Sequence, residues 1–288
     1  MTTAPIDLLS EWILRQAGSE GAWFTSQLDS LSAGASEQEL HVFMGLIPRV
    51  LGKQDLALTA LDLQRAEQAR AGWRPQGWSI DGAARVAALV GFQGTRPFAE
   101  TFKDLRRTAD AGETIALYRG LPLYPQPESL AFDVGEGLRS NMRTVFESIA
   151  HANPYPRDHF DEHRWNHMVL KALFVDSRLA PIIGIDERAN PELARILLDY
   201  AHERWAAGRA VSPELWRCVG PFIDSLNAVG DLERVLSGTE IERKAAVLAL
   251  AANSSAQARA LLETTPEAAR LVKEGRVDWN NLLQSEAA

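Results

Sequence analysis

Helical spacing of apolar positions dominates the chain, and capping signals mark where the helices begin. Ser36 and Glu39 have the spacing of a capping box in front of an amphipathic stretch. The pair Asn190–Pro191 combines a cap residue with a first-turn proline. Thr239 and Glu242 repeat the capping box further along. Convincing strand patterns are nearly absent, so the sequence predicts an all-α fold.

The succession of short capped helices predicts stacked antiparallel helix pairs, as in an α-solenoid or HEAT-like array. No fixed repeat period is found, so a strict repeat protein is not predicted. Residues 113–137 interrupt the helical pattern with three prolines, and this stretch is predicted to be a long irregular segment with an extended piece at "IALYRG". We expect one all-helical domain over residues 1–288, with N-terminal helices in 1–112 and C-terminal helices in 138–288.

The densest polar group lies in "HFDEHRWNHMVLKALF", residues 159–174, which turns apolar in its second half. If residues 159–175 form one helix, a single stripe about 100° wide is polar at first and apolar afterwards. We expect the apolar end to be buried on all sides and the polar end to face a pocket or a partner. The residues of this stripe are His159, His163, Asn166, His167, Leu170 and Phe174.

Lys171 is the exception within the apolar run "MVLKALFV". An unpaired buried ammonium is costly, so this side chain must reach water or meet a carboxylate. We expect a carboxylate partner, drawn from Asp186, Asp199 and Glu203. A lysine that faces a ligand is the alternative.

The same stretch also matches the metal-binding pattern H-x-x-E-H, from His159 to His163, in which Glu162 would activate water. That pattern belongs to an α/β peptidase fold, for which this chain shows no matching strands. His159 and His167 are eight residues apart, too far along a helix to share one ion. We therefore expect no tightly bound metal and no cofactor.

A second polar group surrounds the helix that begins at Asn190. Asp186 and Arg188 precede this helix start, and Asp199, His202 and Glu203 share one helix face. Each residue has an ordinary interpretation as a cap, an ion pair or a solvated charge. Together with residues 163–171 they form the predicted pocket wall. A closed apolar cavity lined by Trp165, Trp205 and Phe174 would support ligand binding, and a flat or filled surface there would support a scaffold. The candidate ligand-binding residues are His163, Asn166, His167, Lys171, Asp186, Arg188, Asn190, Asp199, His202, Glu203 and Arg204.

Composition and charge argue against several classes of binding partner. The net charge of −8 leaves no surplus of cations to neutralise nucleic-acid phosphates, and no basic block is present to bind an anionic membrane. The single cysteine excludes internal disulfides. The longest apolar runs are far shorter than the roughly 20 residues of a spanning helix, and the N-terminus lacks a signal-peptide pattern. We expect a cytoplasmic protein without a membrane span.

Residues 165–222 contain "WN-x-MVLKALF", "DERANPELAR", "DYAHERWAAGR" and "PELWRCVGPF" in that order. This stretch resembles the signature core of the EboA family, whose members are encoded in bacterial ebo gene clusters. The resemblance implies a metabolite-traffic factor that supports movement of a secondary-metabolite precursor out of the cytoplasm. It implies no catalytic residues.

The combined expectation is an accessory protein that binds a small metabolite precursor or another protein of an ebo cluster. No strong catalytic motif is present, so no catalytic residue is assigned. Two alternatives stay open. One is an isomerase or hydrolase acting on the same precursor, with or without a metal, that uses His202 or His163 with nearby carboxylates. The other is a pure protein–protein scaffold.

Overall fold

The computed structural model describes residues 4–283, and within this range the chain forms helices and turns without a β-strand. Asp55 and Ser79 form an isolated antiparallel bridge that joins two loops. The all-α fold is therefore confirmed, whereas the solenoid-like stacking of helix pairs stays a prediction. No helix in the described part of the chain is both long and apolar enough to cross a membrane.

The chain divides into two compact units, with the boundary between Phe160 and Asp161. The single domain expected over residues 1–288 stays a prediction, and each unit is described by itself. The first unit also contains short 3₁₀ turns at Gly18–Glu20, Leu121–Leu123 and Pro127–Leu130. Its α-helices are α1 (Pro5–Ala17), α2 (Gly21–Ser32), α3 (Glu37–Val50), α4 (Ala60–Ala69), α5 (Ile80–Gly91), α6 (Phe98–Thr108), α7 (Ala111–Arg119), α8 (Ala131–Arg139), α9 (Arg143–Ala150) and α10 (Tyr155–His159).

Helix α5 is the centre of the first unit. Ser79 caps it by accepting a hydrogen bond from the backbone N–H of Gly82 at 3.2 Å. The helix is rich in alanine, so its backbone approaches its neighbours closely, and it packs against α1, α2, α3 and α7. Trp73 lies against both Trp12 and Trp78, with ring centroids 5.6 and 6.0 Å apart. These contacts bring the loop before α5 onto the core.

The irregular segment predicted over residues 113–137 is wrong, because most of it is helical. Asp110 and Glu113 form a capping box, so "IALYRG" belongs to α7 rather than to an extended piece. Two of the prolines occupy the first turns of 3₁₀ helices, where the missing N–H costs nothing. The Tyr118 hydroxyl donates to the carbonyl of Asp133 at 2.8 Å and so ties α7 to α8.

In the second unit, 3₁₀ turns lie at Pro213–Leu215 and Gly220–Phe222. Helix α15 forms its centre and packs against α13, α14, α16 and α17, while α12 contacts α11 and α13. The confirmed capping box of Thr239 and Glu242 begins α15. The α-helices are α11 (Glu162–Phe174), α12 (Pro191–Ala206), α13 (Trp216–Val219), α14 (Val229–Leu236), α15 (Glu240–Ala251), α16 (Ala256–Glu263) and α17 (Pro266–Lys273).

The single helix assumed over residues 159–175 is also wrong. Asp161 is the N-cap of α11, and its carboxylate accepts a hydrogen bond from the N–H of Arg164 at 2.7 Å. His159 ends the preceding helix α10. The polar stripe therefore begins at His163, because an aspartate at a cap position starts a new helix.

Candidate functional site

Asn166 and Asn190 join the two helices that carry most of the candidate residues. Asn166, on α11, is buried. The Asn190 Nδ2 donates to Asn166 Oδ1 at 2.9 Å, and Asn166 Nδ2 donates to Asn190 Oδ1 at 3.3 Å. Asn190 also caps α12 by accepting from the N–H of Leu193 at 2.8 Å. Both amides are thus used to join the helices, which gives these two candidates a structural role.

Arg188 covers a buried aromatic ring of α11. Its guanidinium carbon lies 4.7 Å from the ring centroid of Trp165, which is fully buried. Burial lowers the pKa of Arg188, and the carboxylates of Asp161 and Glu162 act in the opposite direction. The arginine therefore seals the indole face rather than opening a cavity beside it.

Two candidate carboxylates bind arginines. Both oxygens of Asp186 accept from Arg217 at 2.6 Å. Asp199 accepts from Arg195 at 2.8 Å on the exposed face of α12. Burial lowers the pKa of Lys171, which is half-buried on α11. That Lys171 meets a carboxylate stays a prediction.

His202 lies on an exposed part of α12 and its Nε2 is 2.8 Å from Asp231 Oδ1. The neighbouring Trp205 stacks on Trp216 at 5.7 Å, and Arg234 lies 4.2 Å above the Trp205 ring. The histidine and carboxylate have the geometry of an acid–base pair. The Trp205 indole next to this pair already packs against Trp216 and Arg234, so it is not free to bind a ligand.

His163 and His167 are exposed neighbours on α11, with ring centroids 4.3 Å apart. His159 does not share their helix, so the arrangement that H-x-x-E-H requires is not formed. Among residues 4–283, no group of three or more His, Cys, Asp and Glu side chains has the geometry to hold a metal ion.

A pocket of about 310 Å³ lies where the ends of α11 and α12 meet. The expectation that the apolar end of this helix is buried on all sides is wrong at Phe174, which ends α11 and is 76% exposed. A large apolar ring therefore lies at the pocket in contact with solvent. The other lining residues come from the last turns of α12 and the loop after it. We call this the Phe174 pocket, and its residues are Phe174, Tyr200, Glu203, Arg204 and Arg209.

The Phe174 pocket combines aromatic faces with charges of both signs. The Tyr200 hydroxyl contacts the carbonyl of Leu173 at 3.5 Å, which links α12 to the end of α11. Arg204 lies 5.9 Å from the Tyr200 ring, and its Nε donates to the carbonyl of Ala210 at 2.9 Å. Such a wall can bind a flat molecule by stacking and by hydrogen bonds from guanidinium groups.

The structure therefore distributes the candidate residues over several places. Glu203 and Arg204 line the Phe174 pocket, whereas Asn166, Arg188 and Asn190 lie around the start of α12. Trp165 is sealed under Arg188 and Trp205 packs on Trp216, so neither indole joins Phe174 in the lining of the pocket. Sequence reasoning missed Tyr200 and Arg209 as lining residues.

The helices and the pocket define an all-α protein with a concavity of small-molecule size. A family model described as "Metabolite traffic protein EboA" matches residues 5–220. This match covers well over half of the chain, so the chain belongs to the EboA family. The resemblance carried by residues 165–222 is thereby confirmed. No curated protein and no solved structure matches the chain significantly.

Proposed function

We propose that this chain is a non-catalytic accessory protein that binds a small secondary-metabolite precursor in the Phe174 pocket. In this proposal it acts in the cytoplasm and supports movement of the precursor out of that compartment. The family description supports the general function of metabolite traffic. The observation that carries the proposal is the solvent-exposed ring of Phe174 beside a pocket of about 310 Å³.

The chemistry of the pocket supports a flat precursor with polar groups. Phe174 and Tyr200 offer ring faces, and Arg204 and Arg209 offer N–H donors. Glu203 offers the one carboxylate of this lining. A site with a few polar groups around aromatic surface is typical of small-molecule binding.

Two other functions remain as alternatives, each with its own observation. An isomerase or hydrolase is supported by the hydrogen bond between His202 and Asp231, which places an acid–base pair on an accessible helix face. A scaffold, or binding of another ebo-cluster protein, is supported by the exposed Phe174 alone, since exposed aromatic rings also anchor protein interfaces.

The experiment that separates these functions incubates the purified protein with an extract of its source cells. Mass spectrometry then follows both the metabolites in solution and those retained by the protein after buffer exchange. The proposal expects stoichiometric retention of one metabolite without the appearance of a product.

The contrary outcomes are specific. Turnover that His202→Ala abolishes would establish the enzyme. Absence of both retention and turnover, with recovery of a protein partner that Phe174→Ala releases, would establish the scaffold. Asp199→Asn serves as the matched control for His202→Ala, because Asp199 also lies on α12 and binds Arg195 outside the pocket.

A further inference from the structure

The first unit contains a separate pocket of about 230 Å³. Its walls come from the loop before α5, from α7, from α9 and from the turn after α9. It shares no residue with the Phe174 pocket, so a ligand bound here is independent of the proposed function. We call it the Arg119 pocket, and the lining residues on which the argument below depends are Arg74, Trp78, Ile115, Arg119, Ser148 and Asn153.

Two arginines line this pocket without an ion-pair partner among residues 4–283. Arg74 is exposed on the loop before α5. Arg119 is half-buried at the end of α7, and its Nη1 donates to the carbonyl of Gly77 at 2.9 Å. Most other arginines of this unit form ion pairs, as Arg70 does with Asp158 at 2.6 Å. Two unpaired guanidinium groups at one pocket indicate a site for an anion.

The one carboxylate of the pocket lining does not cancel this charge. Glu147 lies on α9 and forms an ion pair with Arg143 at 3.4 Å. Burial lowers the pKa of Arg119, with Asp55 acting in the opposite direction. A guanidinium stays protonated at neutral pH, so Arg119 carries a positive charge that a bound anion would neutralise.

Trp78 and Ile115 give the pocket an apolar part, and its other walls carry the polar residues Gln76, Thr144, Ser148, His151 and Asn153. Trp78 is held by Trp73 and lines a small side pocket of about 30 Å³ together with Ile115 and Arg119. The buried amide of Asn153 donates to the carbonyls of Tyr118 and Ser148 at 3.0 and 3.1 Å, which fixes the wall next to α9.

The backbone of this wall is strained. Ala152 lines the pocket with φ of 50°, in the left-handed region that alanine seldom adopts. Strain of this kind persists where the surroundings hold it, and it clusters at binding and catalytic sites.

We propose that the Arg119 pocket binds a small organic anion, whose carboxylate or phosphate meets Arg74 and Arg119 and whose flat apolar part lies against Trp78 and Ile115. The volume of about 230 Å³ exceeds the roughly 150 Å³ of an apolar cavity that holds one benzene ring, so a single ring with an oxyanion fits. The arginines bind the oxyanion through paired N–H donors, and the indole face supplies the apolar contact.

The test is a ligand-observed NMR titration of the full chain at low ionic strength. The probes are phenylphosphate, benzoate, inorganic phosphate and the neutral benzyl alcohol. Phenylphosphate and benzoate separate a phosphate ligand from a carboxylate ligand, and benzyl alcohol measures the apolar contact alone. We expect at least one of the two aromatic anions to bind, and to bind at least tenfold more tightly than benzyl alcohol.

Variants locate the site. Arg74→Gln and Arg119→Gln should each weaken binding of the aromatic anion by about tenfold, the usual loss for a charged hydrogen bond. Because Arg119 also holds Gly77, the exposed Arg74 supplies the variant that leaves the fold intact. The control Arg49→Gln, at an exposed arginine on α3, should bind as the wild type does.

Three results would overturn the proposal. The first is that neither aromatic anion binds. The second is that benzyl alcohol binds as tightly as the anions. The third is that Arg49→Gln weakens binding as much as Arg74→Gln does, since the anions would then be responding to general surface charge.

Discussion

Asn166 and Asn190 hold each other through two hydrogen bonds between their side-chain amides, at 2.9 and 3.3 Å. Asn190 uses the same side-chain oxygen to cap α12 at Leu193. One residue thus starts a helix and fastens it to its neighbour. The end of α12 contributes to the Phe174 pocket, so this pair stabilises the framework on which the pocket depends.

Removing this pair should destabilise the fold. We expect Asn190→Ala to lower the free energy of unfolding by about 1–3 kcal/mol, because it removes a helix cap and leaves the buried Asn166 amide without its partner. Asn190→Asp keeps the cap and loses the donor to Asn166, so its effect should be smaller. Urea unfolding followed by circular dichroism measures both. Equal stability of Asn190→Ala and wild type would refute the structural role.

Helix caps are the part of the fold that the sequence reveals most directly. Ser36, Asn190 and Thr239 all begin helices as predicted, because each places an acceptor where the first turn has unpaired N–H groups. The N-capping rule also explains the two errors in the predicted helices. Asp110 and Asp161 are also caps, and without them one helix is taken for an irregular segment and two helices are merged into one.

The site is less accessible to sequence reasoning, because it depends on which helix ends meet. Glu203 and Arg204 are among the predicted residues, but Tyr200 and Arg209 are not. Spacing on one helix places side chains on a face and says nothing about the partner of that face. The ion pair of Asp186 with Arg217 joins residues 31 positions apart, and no local pattern indicates it.

A buried carboxylate should make stability depend on pH. The hydrogen bond from Arg15 holds the pKa of Asp62 well below its usual range, with further hydrogen bonds from Thr59. Its folded pKa lies below the unfolded value of about 3.9, so its contribution is complete above that pH and is lost as the pH falls.

The corresponding variant is Asp62→Asn. At pH 7 it should lower the free energy of unfolding by about 1–3 kcal/mol, as expected for hydrogen bonds to a charged group. The difference from wild type should shrink below about pH 4. Asp29→Asn, at an exposed carboxylate on α2, is the control and should change stability little at either pH. A difference that stays constant down to about pH 2 would contradict this role of Asp62.

The only cysteine should be unreactive in the folded protein. Cys218 is buried, and this burial raises the pKa of its thiol to about 12. Since the thiolate is the reactive form, Ellman's reagent at about pH 8 should modify folded protein far more slowly than protein in concentrated urea. Rapid modification without denaturant would show that α13 is not packed as described.

Metal content supplies an independent check on the histidines of α10 and α11. We predict no tightly bound metal, because His159 lies on a different helix from His163 and His167. Elemental analysis of purified protein measures this directly. Stoichiometric zinc, iron or manganese that the His163→Ala variant no longer binds would contradict the prediction. That result would support the alternative function of a metal-assisted enzyme.

The most direct test of metabolite binding is native mass spectrometry of the protein after incubation with extract of its source cells. It compares wild type with Phe174→Ala, and with Phe132→Ala as a matched control. Both phenylalanines are largely exposed, at 76% and 66%, so neither change should disturb folding. We predict one small molecule bound per wild-type chain, retained by Phe132→Ala and lost by Phe174→Ala. Equal retention by both variants, or no bound molecule in any of the three proteins, would contradict binding in the Phe174 pocket.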